Sequence, residues 1–335
     1  MKTIRASLVL FFAAASLSCE HEAAVPPASP ADTPVYVTIY SHNERTLSRF
    51  GGFRESLAGY LEFREGMIFN AKLIASYGLK YNWQSDYVIL EAIAQWEKLA
   101  LEADPSRTNG KHVLRYLAED LGVSIEVHAH ESQNPEPFRF AAPPNYADLA
   151  RMVWEIAGIE VPPLMGGSTP AERSLEELAQ GIAGNVYETT WFPKILSGFA
   201  YQAGHGPGAD SSLSGVWRPS ELSDGGYAVH DDASPVIAIG GGNGFGSFED
   251  SLAYLDELTA KLASGQVPGG RIYTASITFP EDHMLEADLR AEFEAALVRL
   301  KALADAGKIV AATHPGVIQA WKDVYGSSPN VYGTR

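Results

Sequence analysis

Val35-Tyr36-Val37-Thr38-Ile39-Tyr40, running into Ser41-His42-Asn43-Glu44, is the stretch on which the fold turns. Its β-branched and aromatic residues read as a first strand. The residues at the end of that strand separate the folds open to a chain that alternates strands with helices. A dinucleotide-binding sheet needs Gly-x-Gly-x-x-Gly there, so that the backbone can approach a pyrophosphate. This chain places His, Asn and Glu there instead.

Working outward, apolar residues at helical spacing (Leu61, Met67, Ile68, Ala71, Ile74, Ala75) predict a helix over 60–77, stopped by Gly78. Strands are expected at 79–83, 123–127, 235–239, 271–279 and 309–312. Helices are expected at 86–103, 110–121, 146–157, 248–262, 285–306 and 316–325. The stretch 162–211 loses its periodicity and reads as mostly loop around a short helix at 175–182. Gly240-Gly241-Gly242-Asn243-Gly244-Phe245-Gly246 follows a strand but lacks the Lys-Ser/Thr of a phosphate loop. The pattern is βα repeated about seven times, which predicts a parallel sheet covered by helices. The fold class expected is α/β, a distorted parallel barrel of the TIM type, formed by residues 34–335 as one domain.

The N-terminus carries a different message. Lys2 and Arg5 precede the apolar run from Ala6 to Ala15, and the sole cysteine, Cys19, follows. This resembles an export signal over 1–18 with a lipidated cysteine at its end. Residues 19–33 contain Ala-Ala-Val-Pro-Pro-Ala-Ser-Pro-Ala and read as a flexible tether. The expected location is the bacterial cell envelope, with membrane attachment only through a lipid on Cys19. One cysteine in 335 residues rules out an intramolecular disulfide framework. The charge, 25 basic against 41 acidic residues for a net −16, argues against nucleic acid as a partner.

The polar residues of interest fall at the carboxyl ends of the expected strands, the face on which barrel active sites are built. They are His42 and Glu44, then Asn82, Gln84 and Asp86, then His128 and His130, then Trp217 and Arg218, then Asn243, then Glu281, Asp282 and His283, and last His314. In His128-Ala129-His130, residues i and i+2 of an extended chain point the same way, so two imidazoles could grip one divalent ion. Zinc favours such nitrogens with a carboxylate and an open position for water. Glu44 or His42 would complete the set. Glu126 shares the parity of His128 and could contribute, and Glu131 could steady a histidine or act as base. Arg218 is expected to clamp a carboxylate or orient the base, and His314 to serve as general acid. Tyr81, Trp83 and Trp217, with Asp86 and Asn243, make a candidate substrate surface.

In this order the residues resemble the polysaccharide deacetylase family. Asn43-Glu44 stands where that family has its Asp-Asp pair. His128 and His130 stand at its metal histidines, Arg218-Pro219 at its Arg-x-Pro element, and Thr313-His314 at its late strand and histidine. Two departures are plain: the base Asp is Asn43, and the histidines are two apart rather than four or five. The resemblance implies a distorted barrel, one divalent ion (zinc), and removal of acetyl groups from a glycan. Glu44 or Glu131 would act as base and His314 as acid.

Other readings of the same residues are a glycosidase built on Glu44 with Glu281 or Asp282, a lipid-anchored glycan-binding protein without catalysis, and a metallophosphoesterase.

Overall fold

The computed structural model describes residues 32–43, 52–129, 142–167, 173–197, 213–223, 225–242, 247–279 and 287–333. In chain order these form β1 (Val35–Asn43), α1 (Leu57–Ser76), β2 (Tyr81–Ser85), α2 (Tyr87–Ala103), α3 (Val113–Arg115), β3 (Ser124–His128), α4 (Tyr146–Ala157), β4 (Leu164–Gly166), α5 (Leu175–Gln180), β5 (Ile182–Ala183), β6 (Thr190–Trp191), β7 (Ile195–Ser197), β8 (Leu213–Ser214), β9 (Val216–Trp217), β10 (Ile237–Ile239), α6 (Phe248–Ala263), β11 (Tyr273–Phe279), α7 (Ala287–Asp305), β12 (Ile309–Ala311), α8 (His314–Asp323) and β13 (Tyr332–Gly333). Among the described residues no helix is long and apolar enough to cross a membrane.

The main sheet runs β11-β1-β2-β3-β4-β7-β10-β9, and β12 also pairs with β1. Every pairing in it is parallel except that of β10 with β9. Because β11 accompanies β1 from Val35 to Ser41, β12 and β2 must share the other edge. β12 takes Val35–Val37 and β2 takes Ile39–Asn43, end to end. The near-closure between the two ends of the sheet is made by side chains instead of a ladder. Thr274 of β11 accepts from Gly215 N at 2.7 Å, donates to Gly240 O at 2.6 Å, and its own N–H bonds Ser214 Oγ at 2.9 Å. The result is the expected α/β architecture, a distorted and partly closed barrel.

Strict alternation sorts the side chains. Val35, Val37, Ile39, Tyr81, Trp83, Ile125, Val127, Met165, Leu196, Ala238, Ala275 and Ile277 lie in the large core shared with α1, α2, α4, α6 and α7. Tyr36, Leu164, Ile195, Val216, Ile237 and Ile239 have the opposite parity. They form a second apolar cluster with Val317, Ile318 and Trp321 of α8. Above that plug, towards the carboxyl ends of the strands, the same inward parity becomes polar: Thr38, Tyr40 and His42 on β1, Asn82 and Gln84 on β2, Glu126 and His128 on β3, and Ser197 on β7.

Helix ends follow their capping chemistry. Asn145 and Asp148 form a reciprocal capping box at α4, and Ser247 with Asp250 does the same at α6. Two expectations are refined. Within 162–211, the stretch read as mostly loop, the described residues include two wall strands that the reading did not separate out, β4 and β7, of three residues each. So few residues show no periodicity of their own; pairing on both edges holds them in the wall. The single helix expected over 110–121 begins only at Val113, after a short turn at Pro105–Thr108, and widens over Tyr116–Asp120.

Candidate active site in the polar layer of the barrel

Register places His42, Gln84 and Glu126 side by side across β1, β2 and β3, and His128, Gly166 and Ser197 side by side across β3, β4 and β7. His314 enters from below β2. It follows β12, and its backbone N–H donates to Asn82 Oδ1 at 2.8 Å while Thr313 caps the helix it opens. This entry brings a residue 188 positions away onto Glu126: His314 Nδ1 lies 3.1 and 3.0 Å from the two carboxylate oxygens. Its other nitrogen, Nε2, lies 2.9 Å from Ser197 Oγ.

The hydrogen-bond roles along this line follow from chemistry. Glu126 also accepts from Gln84 Nε2 at 2.9 Å and from Ser124 Oγ at 2.9 Å, so its oxygens are held from both sides. With the carboxylate as acceptor, His314 Nδ1 carries the hydrogen. In that tautomer the lone pair sits on Nε2, facing the Ser197 hydroxyl. Glu126 and His314 are fully buried and Ser197 is 2% exposed.

His128 is fixed in the same manner. Its Nδ1 lies 2.6 Å from Gly166 O, and a carbonyl only accepts, so Nδ1 is the protonated nitrogen. Tyr146 donates to the same carbonyl at 2.9 Å. The His128 ring stacks on His42 at 4.6 Å between centroids and 21° between planes, and Tyr40 lies against both His42 and His314. Two glycines make room. A Cβ on Gly166 would come within 2.6 Å of the Gln84 amide, and one on Gly167 within 2.5 Å of His128 Cε1.

The metal expectation is corrected here. Among the described residues no group of three or more His, Cys, Asp or Glu side chains is placed to hold a metal ion. His42 and His128 do come together, but face to face. Imidazole lone pairs lie in the ring plane, and two nearly parallel planes do not converge on one ion. His128 Nδ1 is engaged with a carbonyl, and Glu126 is engaged with His314, Gln84 and Ser124. The donors among the described residues therefore do not fit a zinc site.

The other expected residues separate. His314 lies in the barrel interior, between Glu126 and Ser197. Tyr81, Trp83 and Trp217 do not form an open stacking surface. All three are buried: Tyr81 bonds Ser41 Oγ at 2.6 Å and stacks on Phe279, Trp83 has outward parity in the helix-covered core, and Trp217 donates to Tyr227 O at 2.6 Å. Asp86 caps α2, accepting from Val88 N and Ile89 N. Arg218 donates to Ser234 O at 2.8 Å and so pins the turn after β9. Cys19, Glu44, His130, Glu131, Asn243, Glu281, Asp282 and His283 lie outside the described residues. Sequence reasoning missed Ser197, which stands in the stretch read as loop, and the pairing of Glu126 with His314. Parity along Ser124-Ile125-Glu126-Val127-His128 already put Glu126 on the inner face.

No family model matches this chain, and no curated protein matches it significantly.

Proposed function

We propose that this protein is a carbohydrate-active hydrolase that removes acyl groups, acetyl in particular, from a glycan, and that it works from the bacterial cell envelope on a lipid carried by Cys19. The observation that supports this reading is the imidazole of His314. It is held by Glu126 through one nitrogen and turned to a hydroxyl through the other, at the end of the barrel where strand termini gather. A histidine so oriented can take a proton from an attacking oxygen and return it to a departing one. The order of polar residues in the sequence, which resembles that of the polysaccharide deacetylases, supports the glycan as substrate and the acyl group as the part removed.

The carboxylates of the glycosidase reading, Glu44 with Glu281 or Asp282, lie outside the described residues. Such an enzyme sets a pair of acids across the scissile bond. Among the described residues, Glu126 is the one carboxylate that the strands place in the polar layer. The test is acetate release from acetylated xylan and from N-acetylglucosamine oligomers by the purified protein. Acetate release by the wild type, lost in His314→Ala, is expected. New reducing ends without acetate would replace the deacylase by a glycosidase.

A further inference from the structure

Accepting the deacylase reading, we infer that Ser197 is the nucleophile and that the reaction passes through an acyl-serine. Three observations meet on this residue. Ser197 is the last residue of β7, at the end of the wall where β1, β3, β4, β10 and β11 also terminate. Its Oγ lies 2.9 Å from His314 Nε2, within the reach required of a nucleophile and its base. Behind the histidine stands an acid, Glu126, on Nδ1. The order hydroxyl, imidazole, carboxylate is that of a nucleophilic triad, which is recognised by geometry and roles and not by fold or chain order.

The surroundings hold each member in its role. Gln84 and Ser124 restrain the two oxygens of Glu126, so the carboxylate cannot turn away from His314. Asn82 holds the His314 backbone, which sets where the ring begins. Gly167 N–H donates to Ser197 O at 2.8 Å and fixes the end of β7. The tautomer that Glu126 imposes leaves a lone pair facing Ser197, as a base requires.

The chemistry balances. Ser197 Oγ attacks the acyl carbonyl carbon, a C–O bond forms, and the hydroxyl proton passes to His314 Nε2. The tetrahedral species collapses with cleavage of the bond to the sugar oxygen or nitrogen, and His314 returns the proton to that leaving atom. Water then attacks the acyl-serine, gives its proton to His314, and the ester to Ser197 breaks. The proton goes back to Oγ and the carboxylic acid leaves. The steps consume only water, and no electrons are gained or lost.

The test is covalent capture on the full-length protein. A fluorophosphonate is applied and the modified peptide is located by mass spectrometry, in parallel with acetate release and with a thermal melt of Ser197→Ala. An adduct on Ser197 that is lost in His314→Ala supports the triad, whatever the natural substrate. Acetate release without an adduct, and retained in a folded Ser197→Ala, overturns the nucleophile and leaves the deacylase standing. No adduct and no acetate release overturns the nucleophile and the deacylase together; Ser197 then only completes the hydrogen bonds of a buried imidazole. An adduct with no acetate release keeps the nucleophile and removes the glycan acetyl group as its target. Where Ser197→Ala fails to fold, the wild-type adduct and its site decide alone.

Discussion

Glu97 and Glu126 are both buried carboxylates, one between α1 and α2 and one in the barrel wall, and their partners differ in kind. Glu97 accepts from Tyr60 Oη at 2.6 Å, from Arg64 Nε at 2.7 Å and Nη2 at 3.1 Å, and from Val113 N at 2.8 Å. Burial, with the Glu97 carboxylate second, pushes the Tyr60 hydroxyl well above its ordinary range, which keeps it a donor. A guanidinium supplies a permanent charge, so nothing in this network can pass a proton at neutral pH. It ties three helices together. Glu126 has no guanidinium. Two neutral donors hold it, and its third partner is an imidazole with a hydroxyl on the far side. The first arrangement is built to stay still; the second can move a proton without moving heavy atoms.

The largest effect expected from this contrast is on turnover. His314→Ala should lower acyl hydrolysis by about 10²–10⁴, the range for loss of a general acid–base group. It should cost only about 1–3 kcal/mol of stability, from partners left unsatisfied. Acetate release and a denaturant titration check the two halves. Glu97→Gln should do the reverse. It leaves the Arg64 charge without its counter-ion and should cost about 3–5 kcal/mol, while the folded fraction keeps its turnover. If Glu97→Gln abolishes turnover in folded protein, the division between a holding and a reacting carboxylate fails.

How much of the fold and the site is legible in the sequence depends on the length of each signal. The strands with long runs, Val35–Asn43 and Tyr273–Phe279, and the helices with a clear apolar stripe are readable from periodicity, and with them the α/β barrel. β4 and β7 are not, because three residues cannot express a period and their strand character comes from neighbours on both edges. The same limit hides Ser197. His314 is readable as a strand-end histidine, but its partner is not. Pairing with Glu126 depends on β12 lying below β2 on the same edge of β1, which local sequence does not encode. The aromatic residues mislead for a simpler reason. Tyr81 and Trp83 have the parity opposite to Asn82 and Gln84. When one face of a strand is polar and the other aromatic, the aromatic face belongs to the helix-covered core.

A smaller effect separates backbone strain from contact with the stacked histidines. Gly167 has φ +65° and Gly78 φ +71°, so alanine is disfavoured at both. Nothing lies within 4 Å of a Cβ at Gly78, whereas one at Gly167 would meet His128 at 2.5 Å and His42 at 3.0 Å. Gly78→Ala should cost about 1 kcal/mol, the penalty of the left-handed region alone. Gly167→Ala should cost about 1–3 kcal/mol and also reduce turnover, since the rings must shift. Equal losses of stability with unchanged turnover would show that the stack does not bear on the site.

The mildest expectation concerns pH, and it falls on the Glu97 side of the contrast. His112 caps α3: its Nδ1 accepts from Leu114 N at 3.2 Å, so that nitrogen carries no proton in the folded chain. Burial holds the His112 imidazole below its ordinary value, the Glu97 carboxylate opposes this, and the Arg64 and Arg115 guanidiniums reinforce it. The unfolded chain therefore takes up a proton first as pH falls from the ordinary value of 6.5. Stability from this group is whole above that value and is lost as pH drops from it towards the folded value. Melting temperatures measured from neutral pH downwards should fall over that window. His112→Asn, which keeps a capping oxygen and cannot titrate, should flatten this part of the profile. A profile that keeps its slope in His112→Asn would move the acid sensitivity away from this cap.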